Sequence, residues 1–178
     1  GDLIGTTGLE WRGSRTPLLP SPSRFFLPGN ARPVGSSNPG PQVVVRYPAE
    51  TLVIAVGDTN VGLSGPITLI HTFESSPNGN FWVAVVSFES GSTGQEEMAI
   101  IDTGSLYIYG PSFTPAITPG PNWQSFQNAY IDDLRKVTFL GETASGSVIV
   151  RDGETTIAGQ FDELFDLDAD GFALTNGP

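Results

Sequence analysis

The chain has 178 residues with 38% hydrophobic residues, 22 glycines, 15 prolines and no cysteine. That is enough apolar material for a packed core of one sandwich-sized domain, and it excludes disulfides, thiolate catalysis and cysteine-bound zinc. The formal net charge of −11 is uneven: residues 1–50 carry five arginines against three acids, whereas residues 51–178 carry three cations against sixteen acids. An acidic body repels phosphate backbones, so direct nucleic-acid binding by that body is not expected. No apolar run approaches the roughly 18 residues that a membrane-spanning helix needs.

Residues 1–42 hold seven prolines, which disfavour a long helix or a central strand. Apolar knots at Leu3-Ile4, Leu18-Leu19 and Phe25-Phe26-Leu27 are too greasy for a free linker. The stretch therefore reads as an extended Pro/Gly-rich arm, residues 1–42, whose knots dock onto something, ahead of a β-sandwich domain at 43–178. Val43–Tyr47 is a strand stopped by Pro48. Thr51–Val56 is a short β-branched run that reads as a buried strand. Gly57–Gly65 is a turn-rich bridge into Pro66–Phe73. There, a partial alternation places Ile67, Leu69, His71 and Phe73 on one face and Thr68, Ile70, Thr72 and Glu74 on the other.

Ser75–Asn80 is a turn, and Phe81–Phe88 is the richest aromatic and β-branched run in the chain. Met98–Asp102 and Ser105–Tyr109 read as a strand pair broken at Thr103-Gly104. Gly110–Pro121 is a proline-rich loop. Trp123–Leu134 is the one predicted helix, because Phe126, Tyr130 and Leu134 recur at helical spacing behind a capping Asn122. Lys136–Leu140, Ser147–Arg151 and Thr155–Ala158 are strands, with Gly141–Gly146 as one connection and Asp152-Gly153 as a tight turn. The expected fold is all-β: an antiparallel β-sandwich, jelly-roll-like, with an extended N-terminal arm and at most one short helix.

The order in Val43–Ser76 is a strand, a Gly/Asn-rich loop, then Gly65-Pro66-Ile67-Thr68-Leu69-Ile70-His71-Thr72-Phe73-Glu74 followed by Pro77. It resembles the last two strands of the shell jelly roll in capsid proteins of small icosahedral RNA viruses, the tombusvirus-like and nodavirus-like group. The resemblance covers about a fifth of the chain. It implies a non-enzymatic structural protein of the virion that assembles with its own copies or other capsid subunits and meets a host receptor or glycan.

Two motifs point elsewhere. Ala99-Ile100-Ile101-Asp102-Thr103-Gly104-Ser105 resembles the catalytic loop of aspartic peptidases. That chemistry needs two facing carboxylates that share a proton and hold a water. One such loop per chain implies a dimer in which Asp102 meets its counterpart, with Thr103 and Gly104 shaping the loop. The alternative is a turn, since Asp and Gly are favoured there. Asp166, Asp168 and Asp170 occupy positions one, three and five of a calcium-loop pattern with Gly171 at six, but position twelve is Gly177 rather than a bidentate Glu. This leaves a weaker calcium site or a solvated acidic tail, and it motivates an alternative reading as a secreted lectin-like or adhesin module. His71, the sole histidine, lies mid-strand with no nucleophile elbow to serve. Trp11, Trp82 and Trp123 are candidates for a sugar-binding platform or for core packing.

Overall fold

The structure is a computed structural model that describes residues 2–14, 17–21, 23–59, 62–103 and 123–151, and the backbone of 154–159, 163–167 and 173–176. The first sheet holds β1 (Leu9–Ser14), β2 (Leu18–Ser21), β3 (Arg24–Pro33), β4 (Gln42–Tyr47) and β5 (Thr51–Ala55), in the order β1-β3-β4-β5 with β2 also on β3. The central sheet is β6 (Ile67–Ser75), β7 (Trp82–Glu89) and β8 (Glu96–Asp102). The third sheet is β9 (Trp123–Ile131), β10 (Val137–Thr143), β11 (Gly146–Arg151) and β12 (Glu154–Gly159). A two-stranded ribbon, β13 (Glu163–Leu167) and β14 (Ala173–Asn176), follows, and β13 approaches β9 and β10.

All described pairings are antiparallel, and all but β1–β3 join strands adjacent in sequence. The fold is thus an antiparallel β-sandwich built of meanders. The Greek-key crossings of a jelly roll do not occur among the described strands.

The sheets stack three deep. Phe26, Val44 and Ile54 of the first sheet pack on Ile70, Phe73, Ala84, Val86 and Ile101 of the central sheet. The opposite side of the central sheet, Val83, Val85 and Ile100, packs on Trp123, Phe126, Ala129, Val137 and Phe139 of the third. Alternation in β7 therefore sends every other residue into a different core, which is why Trp82–Phe88 is a continuous apolar run. Val43 and Val45 face a third cluster on the outer side of the first sheet, closed by fully buried Ile4 from the N-terminal strap.

Three expectations are corrected here. Residues 1–42 are not an arm ahead of the sandwich, because β3 pairs residue for residue with β4 and Phe26 is fully buried. Pro28 is tolerated inside this central strand for a local reason. The Ala31 amide donates toward the β4 side, to Pro41 O, so the even-numbered positions face β1 and β2. Pro28 falls in the gap where β2 pairing ends at Phe26 and β1 pairing begins at Gly29, so its missing N–H forfeits no ladder bond.

Trp123–Leu134 is not a helix. Its first nine residues form β9, whose pairing with β10 shifts register between Phe139 and Gly141 and again between Glu142 and Thr143. These bulges insert extra residues, so the inward side chains are Trp123, Phe126, Ala129 and Ile131. The apolar residues at helical spacing share no face: Phe126 packs toward the central sheet, Tyr130 packs with Leu140 and Ile149, and Leu134 is exposed in the turn beyond the strand.

The same device breaks the alternation of β6. Shifts at Ile67/Leu69 and Ile70/Thr72 bury Ile67, Ile70 and Phe73 and leave Leu69 and His71 exposed. A smaller difference is at Gly141–Gly146, where β10 continues to Thr143 and the chain turns at Ala144-Ser145. Ser105–Tyr109 and the Gly110–Pro121 loop lie outside the described residues.

Candidate functional site

Asp102 ends β8 with a fully buried side chain. Burying a lone carboxylate is costly, and the structure answers with Arg135. Arg135 Nε lies 3.0 Å from Asp102 Oδ2, and its Nη2 donates to Asp102 Oδ1 at 3.4 Å and to the Thr103 carbonyl at 3.0 Å. Arg135 comes from the turn that joins β9 to β10. Asp132 organises that turn: its Oδ1 accepts from the amides of Leu134 and Lys136 at 2.9 and 2.8 Å, and its Oδ2 pairs with Arg151 at 2.8 Å. Asp133 Oδ1 accepts the Asn78 amide at 2.9 Å.

Thr103 is equally committed. Its hydroxyl accepts the Trp82 amide at 2.6 Å and donates to the Trp82 carbonyl at 3.1 Å, while its own amide reaches that carbonyl at 3.0 Å. The Asp-Thr pair thus fastens the end of β8 to the start of β7 and to the third sheet. A peptidase loop needs its carboxylate open to a water and to a second carboxylate. Here a guanidinium fork holds both oxygens of Asp102, and the chemistry this arrangement performs is structural pairing. Gly104 lies outside the described residues.

Asp166 sits in β13, paired with Leu174, and Asp168 and Asp170 fall in the connection to β14, outside the described residues. His71 is exposed, with Nε2 2.8 Å from Ser87 Oγ. It lies beside a cleft of about 200 Å³ between β4 and the outer edge of β6. Gln42 Oε1 fills one edge position there by accepting the Ile70 amide at 3.1 Å.

The tryptophans occupy three separate places. Trp82 stacks on Phe73, Trp123 packs among Phe126 and Phe139, and Trp11 Nε1 donates to Tyr47 Oη at 3.2 Å. Phe25 and Tyr47 stack face to face at 4.6 Å, which covers one face of each ring.

Arg135 was not singled out as a site residue from the sequence. The available signal was scarcity: residues 51–178 contain only Arg135, Lys136 and Arg151 as cations. A buried acid in that half has few partners to draw on.

Comparison with protein-family models, with curated proteins and with solved structures gives no match.

Proposed function

We propose that this chain is a non-enzymatic structural protein of the viral capsid or capsid-surface kind. In this reading it sits in the virion and assembles with its own copies or with other capsid subunits through faces of its β-sandwich. The observation that carries the non-enzymatic part is the engagement of Asp102: the carboxylate of the one enzyme-like motif is sealed by Arg135 and serves the packing of two sheets. The stacked antiparallel sandwich is an architecture that suits a scaffold, and the strand-loop-strand resemblance of Val43–Ser76 supplies the capsid assignment.

The test is particle size at neutral pH, by light scattering with negative-stain images of the same sample. Uniform shells or large closed oligomers support the reading, and a monodisperse monomer at high concentration overturns it. Deletion of residues 1–42 is unsuitable as a control, because it removes β3 and with it Phe26. Introducing a charge at exposed apolar positions, as in Leu19→Glu and Leu134→Glu, leaves the core intact and is the appropriate perturbation.

A further inference from the structure

The geometry points to the Asp132–Lys136 turn as a charge latch that holds the third sheet on the central sheet, so that breaking it lets the third sheet open as a unit. This turn carries side-chain hydrogen bonds and an ion pair across to the central sheet and its connections: Arg135 to Asp102, Arg135 to the Thr103 carbonyl, and Asp133 to the Asn78 amide. Beside it the interface packs apolar side chains, Val83, Val85 and Ile100 against Trp123, Phe126 and Phe139. Apolar contact is not directional and does not by itself fix one docking geometry. The latch supplies the direction.

Two features set this contact apart from a core ion pair. Arg135 adopts φ 66°, a left-handed conformation uncommon for a residue with a side chain, so the backbone is held where the guanidinium reaches Asp102. The partners are also unequally exposed, 36% for the Arg135 side chain against 0% for Asp102. The cation reaches in from solvent, and salt and competing ions have access to its outer side. The latched element is itself compact: β9, β10 and β11 form consecutive hairpins, and Asp132 ties the turn to β11 through Arg151. Sub-global units of this kind open cooperatively.

The experiment is amide hydrogen exchange on the full chain, comparing β9–β11 with β3–β5, for the native protein and for Arg135→Gln and Arg135→Lys. Arg135→Gln is expected to raise exchange in β9–β11 by about tenfold or more while β3–β5 change little. Arg135→Lys is expected to fall between, because an ammonium keeps the charge but not the fork. Uniform acceleration in all sheets, or none, overturns the latch and leaves an ordinary stabilising pair. Should the Arg135 variants fail to fold, Asp133→Ala, which removes the acceptor of the Asn78 amide from the same turn, is measured in the same way. Selective opening of β9–β11 is then the expected result, and its absence overturns the proposal.

Discussion

Asp58 closes both backbone groups of Ala55: its amide donates to Ala55 O at 3.1 Å, and its Oδ2 accepts the Ala55 amide at 2.7 Å. β5 is the edge of the first sheet and carries no charged residue, only Thr51-Leu52-Val53-Ile54-Ala55. An edge of that composition is a template for pairing with other chains unless something blocks it. Asp58 blocks it and also turns the corner, since its carbonyl accepts the Ile67 amide at 3.0 Å while Gly57 N reaches Ile67 O at 2.7 Å. One residue therefore joins the edge of the first sheet to the edge of the central sheet.

Asp58→Ala leaves the Ala55 N–H without its acceptor, and Ala55 is buried. The expected loss is about 1–3 kcal/mol in denaturant unfolding. Asp58→Asn keeps an acceptor oxygen and is expected to lose less. The alanine variant should also show faster growth of light scattering on mild heating, because the β5 edge is opened. Equal stability of the two variants would show that the side-chain bond contributes nothing.

The identity of the elements was legible where a residue's neighbours in sequence decide its environment. β4, β5, β7 and β8 fall where β-branched runs stop at Pro48, Gly57, Ser90 and Thr103. What was not legible was set by distant chain. The bulges that give β9 its three-residue spacing depend on how β10 lies against it, and β10 is not visible from within Trp123–Ile131. Whether Pro28 blocks a strand depends on β1 and β2 parting beside it. The partner of Asp102 lies 33 residues away, and no local pattern announces it.

Phe26 tests the correction to the N-terminal stretch most directly. It is fully buried among Val44, Ile54, Phe73 and Ala84, and its ring lies 5.3 Å from that of Phe73. Phe26→Ala should cost about 3–5 kcal/mol, the usual range for emptying an aromatic core site. If residues 24–33 were an arm docked loosely outside the sandwich, the loss would stay within about 0.5 kcal/mol.

Gly141 marks the point where the third sheet has no room for a side chain. A β-carbon there would lie 2.4 Å from a ring carbon of Trp123, a distance no real contact tolerates. Trp123 is itself buried between Phe126 and Phe139 and cannot swing clear. Gly141→Ala is expected to cost about 1–3 kcal/mol through overpacking. Trp123→Leu makes space at the same spot, so the double variant should lose less than the sum of the two single changes. Strict additivity in the unfolding free energies would argue that the ring and the glycine do not interact.

Glu10 and Arg32 face each other across β1 and β3, with Arg32 Nε 2.6 Å from Glu10 Oε1 and both side chains largely shielded. The Arg32 hydrogen bond holds the Glu10 carboxyl below its ordinary value of 4.5, against a smaller opposing effect of burial. A group whose folded value is depressed adds stability above its unfolded value and loses that contribution as pH falls through the folded one. The native chain should therefore exceed Glu10→Gln in melting temperature by a constant margin from neutrality down to about pH 4.5, with the margin shrinking below it. Thermal melts of the two proteins across that range decide the matter. A margin that stays level into strong acid would mean that Arg32 holds Glu10 by shape rather than by charge.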